Sequence, residues 1–170
     1  MNWYKRSQYN QYGIPLEFKE KVEAPIYNDL LSEREMGWYD SKNLEYKRGP
    51  VRDYMKERKG MKGEIKWMSP DEYIDIVTAG AYNVSQNSPE FEYFKSLIIK
   101  GRRESINDED YNLIENYKER WVNGEQPCMG YIIYSMGTYF GQEGLHRAIM
   151  AKDLDVKEIP VLIINKNYEY

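Results

Sequence analysis

The stretch from Thr138 to Ile164 constrains this 170-residue chain more than any other part, because its punctuation sets out a strand, a turn, a helix and a second strand in that order. Thr138-Tyr-Phe140 favours extended backbone. Leu145, Ala148, Ile149 and Lys152 then recur at helical spacing, and Ile159-Pro-Val-Leu-Ile-Ile164 is an apolar run short enough for a buried strand. A helix with one aliphatic face, set between two strands, buries that face against their sheet. The expected class is therefore α/β or α+β: a small mixed sheet with surrounding helices and a mostly helical or irregular N-terminal extension.

The turn inside this stretch also gathers chemistry. Gly141 and Gly144 let the backbone approach a ligand closely, the first turn of the helix presents N–H groups, and His146 and Arg147 supply hydrogen bonds and positive charge. Glu143 would repel a bare phosphate unless it holds a divalent metal or orients an attacking water. The candidate reacting groups are thus Glu143, His146 and Arg147, with Gly141, Gln142 and Gly144 as ligand-binding residues. Arg102 and Arg103, placed just past an expected helix end, are candidates to cover a bound phosphate from across a cleft. A plainer reading stands beside this one. In it Glu143 is an acid favourably placed at a helix start, His146 is a surface ring, Arg147 pairs with Glu143 or Asp153, and Arg102 and Arg103 are solvated.

Residues 139–164 resemble the nucleotide-binding core of the ParB and sulfiredoxin superfamily, where a strand leads into a turn of the form Gly-Glu-Arg-Arg-x-Arg-Ala or Gly-Cys-His-Arg. Glu143, Arg147 and Ala148 coincide with the first form, with Gly144 and Leu145 in place of two arginines. Gly144, His146 and Arg147 coincide with the second, with Leu145 where the reactive cysteine would stand. The downstream Ile159-Pro-Val161 and the upstream Gln126-Pro-Cys-Met-Gly-Tyr-Ile-Ile133 resemble the family's closing strand and Pro-led strand. The similarity spans residues 64–164. It implies a ParB/sulfiredoxin-like domain that binds a nucleoside triphosphate with magnesium, that implication falling on Glu143 and Arg147. Sulfiredoxin chemistry is set aside because a thiolate is needed where Leu145 stands. A partitioning protein is not expected either, since such proteins continue into a helix-turn-helix and a dimerisation segment, whereas Tyr170 follows six residues after Ile164. Orphan domains of this kind are common on phages and plasmids, which implies a mobile-element origin.

Single copies of cysteine and histidine exclude an internal disulfide and a Cys/His zinc cage. Cys128 and His146 are the only Cys–His combination, and Cys128 in a buried strand reads as a small hydrophobe. A net charge of −4 does not advertise phosphate-backbone binding by the whole molecule, although residues 47–66 carry eight Lys/Arg against three Asp/Glu. That stretch is a solvated helix face or a contact for nucleic acid or an acidic partner. Seventeen tyrosines suit half-buried rims and partner contacts. The polar opening and the lack of a long apolar run predict a cytosolic protein without a signal peptide or membrane span.

The remaining elements follow from local signals. Residues 1–63 form an extension packed on the core, with short helices at Asn28–Met36 and Arg52–Lys59. The domain proper covers residues 64–170. It opens with a strand at Glu64–Met68. Ser69-Pro-Asp-Glu72 starts a helix with a capping box, and the helix stops near Gly80. Ser88-Pro-Glu90 launches a second, from Phe91 to Lys100, ended by Gly101. Asn107-Asp-Glu-Asp110 opens a third, with Tyr111, Ile114, Tyr117, Lys118 and Trp121 on one stripe, ended by Asn123-Gly124. Met129–Tyr134 and Thr138–Phe140 read as a hairpin through Ser135-Met136-Gly137.

Two classes of function stay open. One is a stand-alone domain that binds a nucleotide or phosphate, and hydrolyses it or acts on nucleic acid. The other is a non-enzymatic interaction protein whose tyrosine-rich N-terminal third contacts a host or viral protein. A narrower nuclease reading is motivated by the basic stretch, but no clustered carboxylates accompany it.

Overall fold

Burial of the aliphatic faces organises the chain. The structure, a computed structural model, describes residues 8–17, 39–40, 45–46, 63–109, 112–124 and 130–166. In chain order the elements are β1 (Tyr39–Asp40), β2 (Glu45–Tyr46), β3 (Gly63–Met68), α1 (Pro70–Tyr82), α2 (Phe91–Glu109), α3 (Asn112–Val122), β4 (Gly130–Ser135), β5 (Thr138–Glu143), α4 (Leu145–Asp153) and β6 (Ile159–Lys166). β1 and β2 pair with each other. The other four strands form one mixed sheet in the order β3-β6-β4-β5, with β6 antiparallel to β3 and parallel to β4. This is the α+β class expected from the sequence. The expected helices at 28–36 and 52–59, residues 47–62 of the basic stretch, and Cys128 lie outside the described residues.

β4 and β6 read as continuous apolar runs because both faces of the sheet centre are buried. Ile132, Ile159 and Val161 join Tyr73, Ile74, Val77, Leu145, Ala148 and Ile149 in the main core. Tyr131, Ile133, Leu162 and Ile164 alternate with them along the strands and are buried as well. Pro160 lacks a donor, yet it sits in a central strand. It is tolerated because the ladder with β4 begins only at Val161, opposite Gly130.

The hairpin between β4 and β5 turns on two residues with positive φ, Met136 at 52° and Gly137 at 80°. That is the backbone a two-residue primed turn requires. β5 runs on to Glu143, further than Phe140, so Gly141, Gln142 and Glu143 are strand residues opposite Ile133, Ile132 and Tyr131.

Two glycines expected to stop helices lie inside them. α1 continues through Gly80 to Tyr82 and closes on Asn83 in the left-handed conformation. Gly80 is there for packing: a Cβ at that position would lie 2.2 Å from Cγ of Tyr139 on β5. α2 continues through Gly101 and absorbs Asn107-Asp-Glu109, because its apolar face carries on past the glycine to buried Ile106. Tertiary burial outweighs the roughly 1 kcal/mol that an interior glycine costs relative to alanine. At the start of α1, Ser69 accepts from the Glu72 N–H at 3.0 Å as expected. The Glu72 carboxylate takes Lys66 Nζ at 3.0 Å instead of closing the capping box.

Residues 8–17 belong to the core rather than merely to an extension. Ile14 is fully buried in the main cluster. Asn10 holds the segment in place: its Oδ1 accepts from the N–H groups of Tyr12 and Ile14, while its Nδ2 donates to the carbonyls of Leu154 and Asp155 at 2.8 and 2.9 Å. Those carbonyls follow the end of α4, where Asp155 takes a positive φ of 55° and Val156 N–H bonds back to Ala151.

Candidate functional site

The turn between β5 and α4 is fixed by backbone contact before any ligand is considered. Gly144, at φ 113°, is the N-cap of α4, and no side chain caps that helix start. A Cβ on Gly144 would lie 2.9 Å from Cα of Gly130, and a Cβ on Gly130 would lie 2.5 Å from the Glu143 carbonyl oxygen. The bare face of Gly144 is therefore spent on the start of β4, so its glycine is explained by chain-on-chain approach as well as by its φ. Gly141 differs. A methyl group added there meets nothing within 4 Å among the described residues. Gly141 and Glu143 are two apart on β5 and share a face of the sheet.

Glu143 and Arg147 form an ion pair through Oε2 and Nη2, one helical turn apart. Their side chains are 17% and 14% exposed, so the pair is largely shielded from solvent and is much less screened than a surface bridge. This is the pairing that the plainer sequence reading offered for Arg147, with Glu143 rather than Asp153 as the partner.

Beneath the pair stands Tyr73 of α1, whose ring is fully buried. Its hydroxyl lies 2.8 Å from both Glu143 O and Gln142 Oε1, and its one proton is shared between those acceptors. Burial first, and the neighbouring Glu143 carboxylate second, hold its ionisation well above the ordinary phenol range. Tyr73 is thus a neutral donor that clamps the last two residues of β5. Sequence reasoning missed it because nothing in the Tyr73 neighbourhood marks a contact 70 residues away. The signal available was only its place on the buried stripe of α1.

The other candidates are distributed differently. His146 is half-buried on the first turn of α4. Arg103 pairs with Asp153, its Nε donating to Oδ2 at 3.1 Å. Asp153 closes α4, so Arg103 stands at the end of the helix opposite the turn, about 9 Å along the axis from Arg147. Arg102 lies on α2 within electrostatic reach of Tyr139, where burial raises the phenol's ionisation and the guanidinium opposes the rise. The structure therefore brings Glu143, Gln142, Gly144 and Arg147 together and leaves Arg103 apart.

A second polar cluster joins three helices. Asp71 of α1 receives Lys152 of α4 at 2.7 Å and Lys95 of α2 at 3.2 Å, and Lys95 also meets Asp75 at 2.7 Å. The Lys152 hydrogen bond, more than burial opposes it, holds the Asp71 carboxyl below its usual value. Lys95 is raised despite its burial, because Asp75 and Asp71 face it. The Lys95–Asp75 contact is internal to the fold, and the cluster ties α1, α2 and α4 together.

Among the described residues no group of three or more His, Cys, Asp and Glu gathers to hold a metal, and no helix is long and apolar enough to cross a membrane. No protein-family model matches the chain, and neither does any curated protein or solved structure.

Proposed function

We propose that this chain carries a ParB/sulfiredoxin-like domain that binds a phosphate-bearing ligand, in the first instance a nucleoside triphosphate, at the β5–α4 turn. The observation that carries the reading is the Arg147 guanidinium in the first turn of a helix whose start has no side-chain cap, with room for a methyl group at Gly141 among the described residues. A helix N-terminus and a planar guanidinium are complementary to a phosphate in charge and in donor geometry. Arg147 is the binding residue in this reading. His146 supplies a further donor from the same helical turn. Magnesium enters with the ligand. Among the described residues no group of carboxylates gathers at the turn, and Glu143, already bonded to a guanidinium, does not fit a resident ion, whereas magnesium on a polyphosphate needs only one or two protein carboxylates. A cytosolic setting and a mobile-element origin belong to the same proposal.

Thermal shift with ATP, CTP and GTP, each with magnesium, tests it. At a ligand concentration of a hundred times Kd, the wild type gains about 2.7 kcal/mol, a rise of roughly 5–10 °C, and Arg147→Ala abolishes that rise. A flat melting temperature with every nucleotide sinks the reading.

Exposed aromatic residues favour a second reading, that of a non-enzymatic interaction protein. Tyr82 stacks on Phe94 at 4.7 Å, and Tyr93 beside it is 62% exposed, on a helical surface away from the turn. Aromatic rings at a surface are the residues that anchor protein contacts. A flat nucleotide response directs the search to this face.

A further inference from the structure

We infer that Glu143 is a resident anion that competes with incoming phosphate for Arg147, so that the turn is held closed by its own carboxylate. The inference rests on the phosphate-binding reading of the turn and concerns its regulation. Glu143 would ordinarily be assigned to the chemistry, as a metal holder or as the group that orients water. The geometry gives it a different occupation.

The Glu143 carboxylate sits on the Arg147 guanidinium, one turn away, with both side chains largely out of solvent. A carboxylate and a phosphate present the same oxygens to the same fork of N–H donors, so one excludes the other from the bonds they share. Tyr73 makes the competitor persistent. Its buried hydroxyl holds the Glu143 carbonyl, and Gly130 packs against the same peptide, so the backbone carrying the carboxylate cannot easily swing away. An incoming anion must therefore displace the carboxylate as a side chain, and it leaves that carboxylate with neither its cation nor full hydration. A charge-assisted hydrogen bond of this kind is stronger than a neutral one, which places the competition at about tenfold or more in affinity.

The competition has a sign that separates it from catalysis. If Glu143 serves the ligand, Glu143→Gln weakens or leaves unchanged the binding of a phosphate compound. If Glu143 is the competitor, Glu143→Gln removes the competing carboxylate from the guanidinium and tightens binding, most visibly for an anion without a metal ion to occupy the carboxylate.

The experiment is calorimetric titration of the full chain with inorganic pyrophosphate in the presence of a chelator, for the wild type, Glu143→Gln, Glu143→Asp and Arg147→Ala. The expected order is Glu143→Gln tightest, by about tenfold or more over the wild type, with Glu143→Asp between them and Arg147→Ala without binding. Circular dichroism of each variant verifies the fold. Should Glu143→Gln fail to fold, Glu143→Asp decides: its carboxylate is one methylene shorter, so it must bind more tightly than the wild type. Equal or weaker binding by the folded glutamine variant, or by the aspartate variant in its place, overturns the inference and leaves the phosphate reading standing. Absence of binding by wild type and variants alike overturns the phosphate reading itself, and the inference with it.

Discussion

The hydroxyl of Tyr73, on the first helix of the sheet domain, donates to the carbonyl of Glu143 at 2.8 Å from a ring that is wholly buried. A phenol with no access to water keeps its proton and cannot exchange this acceptor for solvent. Removing the oxygen leaves the Glu143 carbonyl and the Gln142 amide with unmet hydrogen-bonding capacity. Tyr73→Phe is expected to destabilise the protein by about 1–3 kcal/mol, read as a fall of roughly 3–9 °C in Tm or as a lower denaturant midpoint with unchanged slope.

Two helical glycines predict opposite results for one substitution. Alanine in place of glycine inside a helix gains about 1 kcal/mol from backbone propensity. At Gly101 a Cβ meets nothing within 4 Å among the described residues, so Gly101→Ala is expected to stabilise by up to about 1 kcal/mol. At Gly80 the Cβ falls on the root of the Tyr139 ring, which cannot move aside without shifting β5. Overpacking of about 1–3 kcal/mol then exceeds the helical gain, and Gly80→Ala is expected to destabilise. Urea unfolding of the two variants in parallel checks the sign of each.

Acid sensitivity should be traceable to Asp71. Its carboxyl is held below the ordinary carboxylate range chiefly by the Lys152 hydrogen bond, so its contribution is present above that range and is lost as pH falls through the lower folded value. The side chain is half-exposed, and screening keeps the contribution to about 0.2–1 kcal/mol. Asp71→Asn is expected to flatten the fall in stability between roughly pH 5 and pH 2, measured by unfolding midpoints across that range. An unchanged pH profile would remove Asp71 from the account.

The short segment around Asn10 should matter out of proportion to its length. Ile14→Ala removes a fully buried side chain from the main core and is expected to destabilise by about 2–5 kcal/mol. Asn10→Ala removes four hydrogen bonds, two of them to the carbonyls after α4, and a loss of about 1–3 kcal/mol is expected. Hydrogen exchange should show Val156 N–H, which bonds to Ala151 at that helix end, losing protection in Asn10→Ala.

Local signals were legible wherever the cause of a structure lies within a few residues of it. Ser69 and Pro70 mark the start of α1, Met136-Gly137 marks the hairpin, and the spacing of Leu145, Ala148 and Ile149 marks the buried face of α4. Misreadings arose where the cause lies far along the chain. Gly80 looked like a stop because Tyr139, which needs the room, is 59 residues away. Gly101 looked like another because Ile106 keeps the face apolar beyond it. In the candidate site the Glu143–Arg147 pairing was legible, since one helical turn separates the two, while Tyr73, Gly130 and the departure of Arg103 to Asp153 were not.

The place of β6 between β3 and β4 bears on how quickly the molecule assembles. Gly63 must find Ile164, about a hundred residues distant, before the two halves of the sheet are joined. The β4–β5 hairpin and the helices can form through nearby encounters, whereas this joint requires closing a very large loop for its first contact. Refolding should therefore be slow for a chain of this size. Weakening Val161 or Leu162 should chiefly accelerate unfolding if the joint forms last, and slow refolding if it forms in the rate-limiting step.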